Sequence, residues 1–214
     1  MKIEVKNVSK KFKDIEVLKN VNLSFENGKI YGLIGRNGSG KSVLLKLLCS
    51  FYSPTLGQIL YNDIDINKSE SFPPDTRALI EKPNFLPDLT GKENLMLLAS
   101  IQNKIGETDV DNVLKKVDLF EDKDKKYHKY SLGMKQKLGI AQVLMEKPEV
   151  LILDEPFNSL DEKSANKIRN ILIEEKRNNK IIIIATHIKD DIKILCDCIY
   201  KVDNGNVSLL KDKD

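Results

Sequence analysis

Two kinds of apolar pattern divide the chain. Near its start Ile3 and Val5 alternate with Lys2, Glu4 and Lys6, and Val21, Leu23 and Phe25 alternate with Asn22, Ser24 and Glu26, the period of half-buried strands. Asn27-Gly28 reads as a tight hairpin turn, so residues 1–34 are expected to be antiparallel β leading onward. Further along, residues 150–153 (VLIL) and 181–186 (IIIIAT) are continuous apolar runs, the signature of parallel strands covered on both faces. Residues 29–34 form a similar strand, and short strands are predicted at 58–61, closed by Asn62-Asp63, and at 77–81.

Between these β-rich halves the period changes. Thr90 and Glu93 make a capping box for a helix over residues 94–102, and Val113, Leu114, Val117 and Phe120 share one face of a helix over 110–120. Residues 121–129 are densely charged and read as a solvated loop or, less simply, an electrostatic docking segment. Ser131 stands as the cap of a helix running through Gln142, where its hydroxyl and the unpaired first-turn amides offer an anion site. Helices over 161–177 and 190–196 and a hairpin turning at Asn204-Gly205 complete an α/β chain. A helical block, about 88–146, is set between residues 1–87 and 147–214 of a single domain.

Composition narrows the classes. The 214 residues can bury a substantial core, and 35 basic and 32 acidic residues, net +3, are interspersed, giving no dedicated nucleic-acid surface. No apolar span of about 18 residues occurs, and the opening residues carry no apolar signal, so a cytoplasmic location is expected. The three cysteines agree with a reducing compartment; Cys196-x-Cys198 reads either as a metal-ligand pair or as packed thiols.

The strongest chemical signal is residues 35–42, GRNGSGKS, which fit G-x-x-x-x-G-K-[ST] between a strand and a helix. Glycines let backbone amides turn toward phosphate oxygens, Lys41 adds charge, and Ser42 offers a hydroxyl to Mg2+. Asp154-Glu155 end one buried strand and His187 ends the other, so acids and histidine are expected at the same sheet edge, where α/β folds place ligand chemistry. Phe12, flanked by lysines, reads equally as a nucleobase-stacking ring or as sheet packing.

Taken in order, the phosphate loop, Ser131-Leu132-Gly133, LILDEP, Ser159-Leu160-Asp161 and His187 resemble the ATP-binding-cassette ATPases over essentially the whole chain. The resemblance implies a P-loop NTPase core with an N-terminal antiparallel β subdomain and an inserted helical subdomain. It also implies nucleotide contacts from Phe12, Gly35, Asn37, Gly38, Ser39, Gly40, Lys41, Ser42 and Val43. Mg2+ falls to Ser42, Glu81 and Asp154, general-base duty to Glu155, and contact with the γ-phosphate to His187. Asp161 would touch a second subunit, and Ser131 and Gly133 would close over ATP held by the partner in a head-to-tail dimer.

Two departures are visible. The usual LSGGQ is Tyr130-Ser131-Leu132-Gly133-Met134, which replaces the glutamine that would reach the ribose, and a loop that usually carries glutamine has Glu81. The glutamate is similar to the ATPases of lantibiotic- and bacitracin-type export and self-immunity transporters, and it is expected to alter coupling more than nucleotide binding. The implied protein powers export through separate membrane subunits; a soluble ATPase of an assembly or regulatory complex is the alternative.

Overall fold

β1 (Lys2–Phe12) and β2 (Ile15–Glu26) pair antiparallel, joined at Lys13-Asp14, with Lys13 in the left-handed backbone region (φ 52). β4 (Leu56–Tyr61) joins the other side of β1, and β5 (Ile64–Asp65) completes a four-stranded sheet ordered β2-β1-β4-β5. The computed structural model describes residues 1–68 and 72–212, apart from the side chains of Lys189 and Asp190.

The second sheet is ordered β10 (Asn206–Asp212), β9 (Cys198–Asp203), β3 (Lys29–Ile34), β8 (Ile181–Thr186), β7 (Val150–Asp154) and β6 (Thr76–Leu79). Every neighbouring pair is parallel except β9 with β10. Asn27-Gly28 therefore closes no hairpin: it passes the chain from one sheet to the other. Gly28 takes φ 75 and its amide donates to the Lys180 carbonyl at 3.0 Å, which draws β3 alongside β8 instead of back onto β2.

The continuous apolar runs are explained by two cores. In β8, Ile182 and Ile184 face a core built with α2 (Gly91–Gln102), α3 (Glu107–Lys116), α4 (Leu132–Leu144), α5 (Glu162–Arg177) and α6 (Lys189–Leu195), while Ile181, Ile183 and Ala185 face a second. That second core holds α1 (Lys41–Leu48) and the inner face of the antiparallel sheet. Each buried isoleucine contributes about 2 kcal/mol of transfer free energy, so both faces of β3, β7 and β8 are fixed firmly. A rigid strand end is what places Asp154 and the phosphate loop.

Two expected elements have different limits, and a third holds one buried ring. β6 stops at Leu79 because Glu81 adopts a left-handed backbone (φ 65), incompatible with a continuing strand. α3 ends at Lys116, and Phe120 sits in a short 3-10 turn with Lys115 and Lys123 over its ring at 4.7 and 4.3 Å. The charged stretch 121–129 is largely exposed, as expected of a solvated loop, but Tyr127 within it is buried, its hydroxyl donates to the Pro83 carbonyl at 2.8 Å, and Lys126 pairs with Thr90 through a backbone bridge. The Thr90–Glu93 capping box forms as expected, with both reciprocal hydrogen bonds.

Candidate active site

The phosphate loop lies between the end of β3 and α1. Gly38 and Gly40 take φ 77 and 109, a region costly for residues with a Cβ, and this turns the loop amides inward. The first-turn amides of Lys41, Ser42 and Val43 have no helical acceptor and open toward an anion. Lys41 is buried, and its ammonium donates to the carbonyls of Gly35 at 2.8 Å and Arg36 at 3.1 Å, so its charge is held within the loop. Asn37 and Glu81 border the same cleft, of about 1010 Å³.

Across the cleft Ser42 donates from Oγ to Asp154 Oδ2 at 2.6 Å. Burial pushes the Asp154 carboxyl above its usual range, opposed by the Ser42 hydrogen bond and reinforced by the nearby charge of Glu155. A hydroxyl and a carboxylate that converge this closely are hard-oxygen donors of the kind Mg2+ accepts, while the Glu81 carboxylate borders the same cleft with its Oε1 on the Lys46 ammonium.

Glu155 follows directly. Its backbone is left-handed (φ 49), fixed by its amide donating to Ala185 O at 2.7 Å and by Gln136 Nε2 donating to its carbonyl at 3.2 Å. Its carboxylate divides in two: Oε1 is 2.8 Å from His187 Nδ1, and Oε2 is buried with no hydrogen-bond partner. A carboxylate oxygen that no protein donor occupies keeps its lone pairs for another donor.

Ser131 caps α4 as expected, accepting from the Met134 amide at 3.2 Å, and Asp161 caps α5, accepting from the Ser164 amide at 2.7 Å. The hydrogen bond from the Ser164 amide holds the Asp161 carboxyl below its ordinary range. Gly133 presses on the segment before Asp161, where an added Cβ would stand 2.9 Å from the Ser159 carbonyl oxygen.

The profile of the family described as ABC transporter matches residues 18–158. The chain belongs to the ABC transporter family. As such it is an ATPase that binds and hydrolyses ATP. It is 41% identical to the uncharacterized ABC transporter ATP-binding protein YybJ of Bacillus subtilis (strain 168), over 96% of this chain and 94% of that protein. It is 37% identical to the bacitracin transport ATP-binding protein BcrA of Enterococcus faecalis, over 96% of this chain and 67% of that protein. The lantibiotic transport ATP-binding protein SrtF of Streptococcus pyogenes is 33% identical over 99% of this chain and 91% of its own length. Among solved structures, an ATP-binding subunit of an ABC transporter aligns with TM-score 0.87 at 27% identity, covering 98% of this chain and 90% of its own. A dimeric bacterial ABC transporter cassette aligns at 0.89 and 25% identity over 96% of both.

Within this cassette the expected residues fall into groups. Gly38, Gly40, Lys41, Ser42, Val43, Glu81, Asp154 and Glu155 share the cleft, and His187 joins it through Glu155. Ser131, Gly133 and Asp161 stand apart from that lining, although Leu132, Lys135 and Gln136 of the same helix border it. Gly35 and Ser39, of the same loop, are not part of the cleft lining, and Ser39 Oγ is 2.6 Å from the position of a Cβ on Gly35. Phe12 is half-exposed at the end of β1, edge-on to Tyr52 at 5.2 Å, with Lys10 Nζ 4.9 Å above its ring. Met134 packs against the helical core.

Sequence reasoning missed several residues. Gln136 is buried and donates to the carbonyls of Glu155 and Pro156, tying α4 to the turn that carries the acid. A glutamine on the otherwise apolar face of α4 was the available signal. Arg169 of α5 donates to buried Asp191 of α6 at 2.6 Å and to Glu162 at 2.9 Å, and stacks over Phe157 at 5.4 Å. It fastens the segments after Glu155 and after His187 to one another, and no local pattern announces it. Cys196 and Cys198 are buried thiols, neither in a disulfide.

Proposed function

We propose that this chain is the ATP-hydrolysing subunit of an exporter of antimicrobial peptides or related compounds, acting in the cytoplasm at the inner face of the cell membrane through separate membrane subunits. The reading is supported by likeness to the bacitracin and lantibiotic transport proteins and by a glutamate, Glu81, on the cleft. Among the described residues no helix is long and apolar enough to cross a membrane, so this part of the chain provides no helical path for a cargo. Residues 1–87 with 147–214 serve as the catalytic core, and 88–146 as the helical subdomain that carries Ser131.

The observation that carries the chemistry is the divided carboxylate of Glu155, one oxygen on His187 and one buried without a partner. The loop amides and Lys41 bind the phosphates of ATP, and Phe12 stacks on the base. Ser42, Asp154 and Glu81 would hold Mg2+, which would neutralise phosphate charge there. Glu155 Oε2 takes the proton of a water that attacks the γ-phosphorus, the bond to the ADP oxygen breaks, and His187 stabilises the charge on the departing phosphoryl group. Two cassettes pair head to tail, with Ser131 and Gly133 of one closing on the nucleotide of its partner and Asp161 lining the junction. ATP closes the pair and hydrolysis reopens it, and that motion drives the membrane subunits.

The test is purification of a tagged E155Q chain from detergent-solubilised membranes of its host with ATP present. Co-elution of an integral membrane protein is expected. A purely soluble partner would overturn the transport reading in favour of an assembly or regulatory complex.

A further inference from the structure

Lys46 lies one helical turn beyond Ser42 on α1, and its ammonium is 2.5 Å from Glu81 Oε1. The two partners differ in freedom: the Glu81 side chain is 65% exposed and that of Lys46 only 22%. Lys46 is also held from behind, since its Nζ stands 5.6 Å over the Tyr52 ring and its carbonyl accepts from the amides of Phe51 and Tyr52 at 2.9 and 3.3 Å. Tyr52 in turn abuts Phe12. The cation is thus built into the scaffold, and the carboxylate sits on a left-handed residue just past the edge strand.

The electrostatic setting makes this pair more than a surface contact. Glu81, Asp154 and Glu155 are three acids on a cleft that must accept a polyanion. Of the cleft's own cations, Lys41 is bound to loop carbonyls, while Lys82 and Lys135 border the opening. Lys46 is the cation that touches Glu81, and it reaches it from the helix that also carries Ser42. An exposed ion pair between two free side chains is worth little, but here the lysine is mostly covered with its cation over the Tyr52 ring, and the glutamate borders the cleft.

We propose that Lys46 is a positioning residue for Glu81, supplying the counter-charge that allows a carboxylate to stand beside the Ser42–Asp154 pair without repelling the nucleotide. The proposal rests on the reading of that pair as the Mg2+ and phosphate site. It requires the two residues to be coupled: Lys46 matters because Glu81 is charged.

A double-mutant cycle on the full chain reads this directly, by titrating a fluorescent ATP analogue with Mg2+ into the native protein, K46M, E81Q and K46M/E81Q. K46M is expected to weaken binding about fivefold in the native background and to have less than about twofold effect in the E81Q background. K46R, which keeps the charge, should restore binding. An equal loss in both backgrounds overturns the proposal, because Lys46 would then act on phosphate directly or on the fold. The native chain serves as the reference for the larger reading: if it bound no nucleotide, the ATPase site itself would be refuted, whereas an uncoupled cycle in a binding-competent chain refutes only the role of Lys46.

Discussion

His187 Nδ1 stands 2.8 Å from Glu155 Oε1, so the ends of β8 and β7 meet in one hydrogen bond at the rim of the cleft. The bond orients the carboxylate and leaves its second oxygen without a partner. E155Q keeps the shape and removes the proton acceptor. Hydrolysis should fall by at least about a hundredfold while ATP still binds, and the variant should run as a dimer on gel filtration with ATP. A variant that hydrolyses ATP at the native rate would sink the assignment of Glu155.

Gly133 and Ser159 bring the first turn of α4 against the loop that leads to Asp161. A Cβ at Gly133 would lie 2.9 Å from the Ser159 carbonyl, which is backbone and cannot swing aside. G133A should therefore shift both segments and lower hydrolysis by about ten- to a hundredfold, with ATP binding to the single chain retained. Measuring both quantities on one preparation separates the two effects; a parallel loss of binding would mean that the phosphate loop had moved too.

Glu175 of α5 is buried between Lys116 of α3 and Lys180, each at 2.7 Å. Burial pushes its carboxyl up, but the hydrogen bonds from the two lysines outweigh burial and hold it below the usual range. A depressed folded-state value means that ionised Glu175 adds stability above the ordinary glutamate range, and that this contribution is lost as pH falls through the folded value. E175Q should lower stability by roughly 2 kcal/mol at pH 7. Melting curves collected from pH 7 downward should show the gap to the native chain shrinking below about pH 5; a gap independent of pH would point to packing instead.

Motifs written in consecutive residues are legible from the sequence alone. GRNGSGKS, the VLILDE strand end, the Thr90–Glu93 box and the Ser131 cap each depend on neighbours within one turn or strand, and each forms as the pattern predicts. The hairpin turn at Lys13-Asp14 is hidden because it lacks the glycine that usually marks such a turn, while Asn27-Gly28 carries the mark but serves a junction between sheets. Within the mostly exposed stretch 121–129, charge density hides one residue, Tyr127, whose burial depends on Pro83, far away in sequence.

Sequence by itself determined that this is a phosphate-binding α/β chain, since continuous apolar strands, a glycine-rich loop and acids at a strand end are local statements about burial and backbone freedom. Only the tertiary structure decided which charges meet. Lys46 with Glu81, Gln136 with the Glu155 carbonyl and Arg169 with Asp191 join groups contributed by separate elements. A hydrogen bond or ion pair acts over a few ångströms of space, and strand order and helix packing, which carry no signature in adjacent residues, set those distances.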